Sequence, residues 1–317
     1  MKTGDVRAKI RRVFRSESGA LRSGWCVALN ATAYFAAFYG VLYGLAAIFG
    51  ALFDAWGLTN DNLAAAPLWV QRIVYAHTDF CYAAACLAST GIGLWIMHGK
   101  TDENVLKTKY GRWKNVLIGA GIGLAIGGGI TLLAFVLDSV RMEWPISEPH
   151  FSLNALVALG VIAIGRISHE ALCRRLIYAP LKASGRALAI AVSSATTAIL
   201  IGEWSVCGVL SGLLLGAVCC ALYDRGGLLA GAAMQTAWTA WCTLLFGFPG
   251  MNANAVPVYR LYYVSDAWLT GGNGSALGGA WCALLLAIAC AALYRRETQS
   301  GARKLKALHS RRGGGTK

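Results

Sequence analysis

Residues 167–181 read "ISHEALCRRLIYAPL", and they follow "LNALVALGVIAIG" (153–165) and Arg166. An almost uninterrupted apolar run therefore ends in Arg, His, Glu and two further Arg. Working outward, the chain of 317 residues is 56% hydrophobic and 14% charged, against about 25% charged in a soluble domain. A membrane protein is the first expectation. The net charge of +14 would fit a nucleic-acid partner in a soluble chain, but the placement of the basic residues gives another reason for it.

Eight apolar segments, near 25–50, 73–97, 115–137, 153–173, 187–203, 205–223, 227–247 and 274–294, have the approximate length needed to cross a hydrocarbon core, about 20 helical residues. Threading them alternately puts 25 Lys and Arg on one side and three (Arg72, Arg141, Arg260) on the other, with Arg166 inside a span. The cytoplasmic side takes the excess. The expectation is an all-α polytopic protein of about eight spans in a bacterial inner (plasma) membrane, with both termini cytoplasmic. It comprises a basic tail (1–24), one membrane domain (25–294) and a second basic tail (295–317). The expected partner is the bilayer, with no nucleic acid. The first 24 residues are polar and basic, so the first span reads as an anchor rather than a cleaved signal.

The ten cysteines lie mostly within spans and lack CxxC spacing, which reads as apolar packing rather than disulfides or metal ligands. "GAGIGLAIGGGI" (119–130) and "GVLSGLLLGAV" (208–218) put small residues at helical spacing, as close helix crossings require. No strand precedes the first of them, so its Gly-x-Gly spacing is no nucleotide loop. The aromatics of "PGMNANAVPVYRLYYVSDAW" (249–268) read as an interfacial loop, with a lid as the alternative.

Ionisable residues within a span are functional candidates by default. Arg166, Glu170 and Arg174 recur every four residues and share one helix face, with His169 and Cys173 beside them. The structural alternative is an ion pair near a helix end. No HExxH or second nearby His accompanies His169 and Glu170, so neither a metal nor a cofactor is expected. His77 and Asp79 read as interfacial.

"HEALCRRLIYAPL" (169–181) resembles the first motif, Glu-Glu-x-x-x-Arg, of the CPBP family, the CAAX-protease and bacteriocin-processing intramembrane proteins. "AIAVSSATTAILIGEW" (189–204) resembles the helix ending Phe-x-x-x-His. "LSGLLLGAVCCALYDRGGLLAGAAMQTAWT" (210–239) resembles the Gly-rich helix and the helix carrying His-x-x-x-Asn, and "SGALRSGWCVALNATAYF" (18–35) resembles the family's opening. The resemblance implies a glutamate acting as base on water, with histidines and an asparagine binding that water and stabilising the oxyanion. It covers residues 150–245 best.

This chain departs from each motif. His169 stands where the first Glu belongs, while Glu170 and Arg174 fit the remaining positions. The second-motif His falls on Ile201 or Gly202, with Glu203 next to it; Gln235 and Thr239 replace the third-motif His and Asn. Gln and Thr donate hydrogen bonds but shuttle no proton near neutral pH. Proteolysis would then need His169, Glu170 or Glu203 as base. The candidate site is His169, Glu170, Arg174, Glu203, Gln235 and Thr239. The readings to be separated are an altered intramembrane peptidase acting on a membrane-anchored polypeptide, a silent relative that binds such a partner as adaptor or chaperone, and a transporter.

Overall fold

The computed structural model describes residues 23–59, 62–97, 112–143, 151–251, 257–264, 267–271 and 275–295. Both basic tails and the Lys-rich segment 98–111 lie outside the described residues, apart from the ends of the first and last helices. The architecture is a helical bundle: α1 (Ser23–Ala55), α2 (Leu68–Met97), α3 (Arg112–Val136), α4 (Phe151–Glu170), α5 (Arg186–Ile201), α6 (Val206–Gly226), α7 (Leu228–Ala240) and α8 (Ala280–Arg295). Each coincides with one apolar segment of the sequence. Among the described residues, five stretches are long and apolar enough to cross a membrane: α1, α2, α3, α6, and Ala155–Lys182 through α4. α5, α7 and α8 are shorter, so length and composition support five of the eight expected spans. At about 1.5 Å per residue, the 16 residues of α5 rise about 24 Å, short of a hydrocarbon core of about 30 Å.

α3 packs along α7, α5 against α6, α1 against α2, and α4 against both α2 and α7. Glycine sets the closeness of two crossings. A Cβ on Gly119 or Gly123 would overlap the carbonyl oxygens of Ala230 and Met234, and one on Gly127 would strike the Trp241 ring. The four-residue repeat of α3 therefore seats it on the α7 backbone, as the small-residue spacing implies. Gly212 and Gly216 of α6 abut Ala198 and Ser194 of α5 in the same way.

Polar ties fix α4 to the first two helices. Ser168 donates to the Cys86 carbonyl at 3.1 Å, receives the Thr90 hydroxyl at 2.9 Å, and lies 2.6 Å from the Tyr34 hydroxyl. The periphery is apolar: Leu29, Tyr43, Ile48, Tyr75, Trp95, Leu117, Val136 and Leu156 all stand exposed. An apolar surface of this extent belongs in lipid. The ten cysteines are free thiols, seven of them buried, which agrees with a packing role.

The fold is not wholly helical. β1 (Val140–Glu143), just after α3, pairs antiparallel with β2 (Arg260–Tyr263), in the register Val140↔Tyr263 to Glu143↔Arg260. The segment expected as an interfacial loop or lid is thus partly a strand. Val140 and Leu261 are buried with Phe248 in the core, while the rest of β1 is exposed.

Candidate functional site

The polar cluster is built where α4 changes its winding. After Glu170 the chain continues as a π turn, Ala171–Tyr178, in which Ala179 N–H reaches back five residues to the Arg174 carbonyl. It then resumes as Ala179–Lys182. α7 does the same at Trp241–Leu245, where Phe246 N–H bonds the Trp241 carbonyl. Such wide turns are rare and collect at functional sites. The π turn of α4 is buried at all eight positions, which places two charged side chains among apolar ones.

Glu170 and Arg174 are fully enclosed, each at 0% exposure. They form an ion pair, Arg174 Nη2 to Glu170 Oε1, at 3.4 Å. Gln235 Nε2 of α7 donates to the same carboxylate oxygen at 2.5 Å and lies 3.5 Å from Cys219 Sγ of α6. The other end of Arg174 is held by α5: its Nη1 donates to Ser193 Oγ at 2.5 Å and to Thr197 Oγ1 at 3.2 Å. Those hydroxyls in turn donate to the carbonyls of Cys173 and Ser193. Four helices thereby meet around one buried charge pair. Room for the carboxylate comes from Gly231 of α7, where any Cβ would overlap Glu170 Oε2.

His169 sits at the edge of this cluster with its side chain 12% exposed. Its Nδ1 lies 4.0 Å from Glu170 Oε1, too far for a hydrogen bond, and its Nε2 lies 3.8 Å from Cys173 Sγ. Among the described residues, His169 Nδ1, Glu170 Oε2, Gln235 Oε1 and Thr239 Oγ1 are buried without a hydrogen-bond partner. Unsatisfied polar atoms are uncommon in protein interiors, and here these four lie on two touching helices, with Trp238 Nε1 and Arg174 Nε unsatisfied on the same pair.

Of the expected site residues, His169, Glu170, Arg174 and Gln235 come together. Thr239 lies one turn beyond Gln235 on α7, its carbonyl accepting from the Thr243 hydroxyl at 2.7 Å. Glu203 does not join them. Its Oε2 accepts from the backbone N–H and hydroxyl of Ser275, at 3.2 and 3.1 Å, beyond the end of α5. It anchors the approach to α8, which corrects the expectation that it enters the cavity. Ser193, Thr197, Cys219 and Gly231 belong to the site but were not singled out. A Ser and a Thr four apart in an apolar helix, facing a span with an orphan Arg, were the available signal for the first two.

No family model matches the chain, and no solved structure does. A curated relative, NADH-quinone oxidoreductase subunit N 2 of Roseiflexus castenholzii (strain DSM 13941 / HLO8), is 25% identical over 247 residues, covering 73% of this chain. The chain spans about half (49%) of that relative's length. Apolar spans draw on few residue types, so this identity assigns no role to individual residues. The chain is a helical, multi-pass membrane protein in contact with lipid.

Proposed function

We propose that the chain crosses the membrane eight times with both termini cytoplasmic, is a CPBP-like protein, and binds a membrane-anchored polypeptide without hydrolysing it. The shorter helices α5, α7 and α8 would cross through local thinning of the bilayer or snorkelling of their flanking residues. The observation that carries the silent reading is the engagement of Glu170. A general base must reach a water and release its proton again. Glu170 is enclosed, and one of its oxygens is committed to Arg174 and Gln235. Gln235 and Thr239 supply donors but no proton relay. Arg174 and Glu170 therefore act as a structural pin, around which unsatisfied polar atoms remain for a guest.

The test is reconstitution with a tagged, single-span polypeptide carrying a photo-crosslinker. Capture with the substrate intact is the expected result. Cleavage by the wild-type protein would end the silent reading. Substituting His169→Glu restores the first-motif pair, and hydrolysis gained by that variant alone would tie the site to the family chemistry.

A second reading keeps His169 as an active base, since its ring is the part of the cluster that remains partly exposed. It predicts cleavage lost in His169→Gln but retained in Glu203→Gln. The similarity to an oxidoreductase subunit supports membrane residence and suits a chain that works beside a membrane partner. It lends nothing to proteolysis.

A further inference from the structure

Arg166 is the one charge of the α4 stripe that the pin does not absorb. It lies near the middle of the apolar stretch Ala155–Lys182, one turn before Glu170, and is partly enclosed. Tyr82, Cys219 and Glu170 lie around it, and Tyr82 presses on α4 at Gly165. Among the described residues no carboxylate comes within ion-pair distance of Arg166. The carboxylate of this cluster, Glu170, is already taken by Arg174 at 3.4 Å. Two guanidinium groups thus share one carboxylate, which leaves a positive charge at membrane depth without a counter-charge.

The helix register supplies a second observation. α4 and α7 touch and meet at Glu170 and Gln235. Their chain directions are opposed in the proposed topology. Four residues back from Glu170 is Arg166, and four residues on from Gln235 is Thr239, so both lie about 6 Å along the helices from the pin at a common level. Thr239 Oγ1 is buried there without a partner, and a hydroxyl donates readily to an anion. An unbalanced cation and an unused donor surrounded by apolar side chains match a monoanion on an apolar body. A phosphate monoester, with its second charge and three oxygens, would exceed what one Arg and one hydroxyl supply.

We propose that Arg166, aided by Thr239, holds the terminal carboxylate of an apolar chain at this level. The inference rests on the polypeptide-binding reading only for the source of that carboxylate, the C-terminus of a peptide rather than a fatty acid.

The experiment uses the full-length protein in phosphatidylcholine nanodiscs. One pair of probes is an apolar peptide of about a dozen residues with a free or an amidated C-terminus. The other pair is a long-chain fatty acid and its methyl ester. Each probe carries a photo-crosslinker, and apparent affinity is read from labelling. The free acids should bind at least tenfold more tightly than the amide or ester. Arg166→Gln should abolish that preference, Arg166→Lys should keep part of it, and Thr239→Val should weaken it. Arg166→Gln removes an unpaired charge from a span, so it should fold at least as well as wild type, as read by size-exclusion profile. Equal binding of acid and neutral forms, a preference that survives Arg166→Gln, or no binding of any probe would overturn the inference. Discrimination confined to the fatty acid would uphold Arg166 while removing the polypeptide reading.

Discussion

Replacing Arg174 by Met tests the pin directly. The substitution leaves Glu170 enclosed, retaining Gln235 at 2.5 Å but losing a cation at 3.4 Å. At an effective dielectric of about 20, unit charges at that separation attract by about 5 kcal/mol. Breaking a buried pair typically costs about 3–5 kcal/mol. Ser193 and Thr197 lose their guanidinium partner, yet each still donates to a backbone carbonyl at 2.7 and 2.9 Å. They add little to the loss. Arg174→Met should therefore destabilise the fold by about 3–5 kcal/mol, between two and four decades in the unfolding equilibrium. Glu170→Gln alone should also destabilise, because Arg174 is then the unpaired charge. The double variant removes both charges together and should recover, leaving a coupling of at least about 2 kcal/mol. Unfolding in detergent can be followed with a thiol-reactive fluorophore, since Cys173 and Cys219 are fully enclosed and react only once the bundle opens. If the double variant is as unstable as the sum of the singles, the two residues do not form the pin argued above.

Gly123→Val should separate α3 from α7 and sharply lower the yield of folded protein, whereas Gly121→Ala, with open space around it, should leave that yield unchanged. Glu203→Ala removes the acceptor of Ser275 N–H and hydroxyl; hydrogen exchange should rise around Ser275–Gly278, with a stability loss of about 1–3 kcal/mol and no effect on carboxylate binding. Asp224 accepts from Lys182 at 2.6 Å and from the hydroxyl of the enclosed Tyr178 at 2.8 Å. Asp224→Leu should therefore leave Tyr178 without its acceptor and break the ion pairs to Lys182 and Arg186, lowering the midpoint of thermal unfolding; added salt should shrink the ion-pair part of the loss and leave the part due to the enclosed hydroxyl.

Hydropathy alone located the helices, because sustained apolar runs separated by basic segments leave little freedom in where a span starts. The edge of α4 was less legible. A run ending near residue 173 looked finished once Arg174 and Arg175 appeared, yet the helix continues to Lys182 because α5 solvates Arg174 from the side through Ser193 and Thr197. The partnership of Glu170 with Gln235 followed from aligning motifs, and a buried carboxylate near a buried amide makes physical sense of it. Glu203 was misplaced for a local reason: it lies near the aligned motif in sequence, but Gly202, at φ 71°, ends α5 before it. The β1–β2 ladder pairs segments about 120 residues apart, and neither four-residue strand is long enough to announce itself by alternation. The π turns leave no compositional trace.

Those wide turns have a consequence for how this chain could change over time. A π turn holds one residue more than the α winding it interrupts, so deleting a single residue from 171–173 would let the segment relax to ordinary winding, keep the flanking helix in register, and move Arg174 to a different place around the helix. Arg174 would leave Ser193 and Thr197 without any charged residue being exchanged. A one-codon deletion is thus a short route from a pinned carboxylate to an unclamped one, and an insertion at the matching place in a straight-helix ancestor would run the same path in reverse.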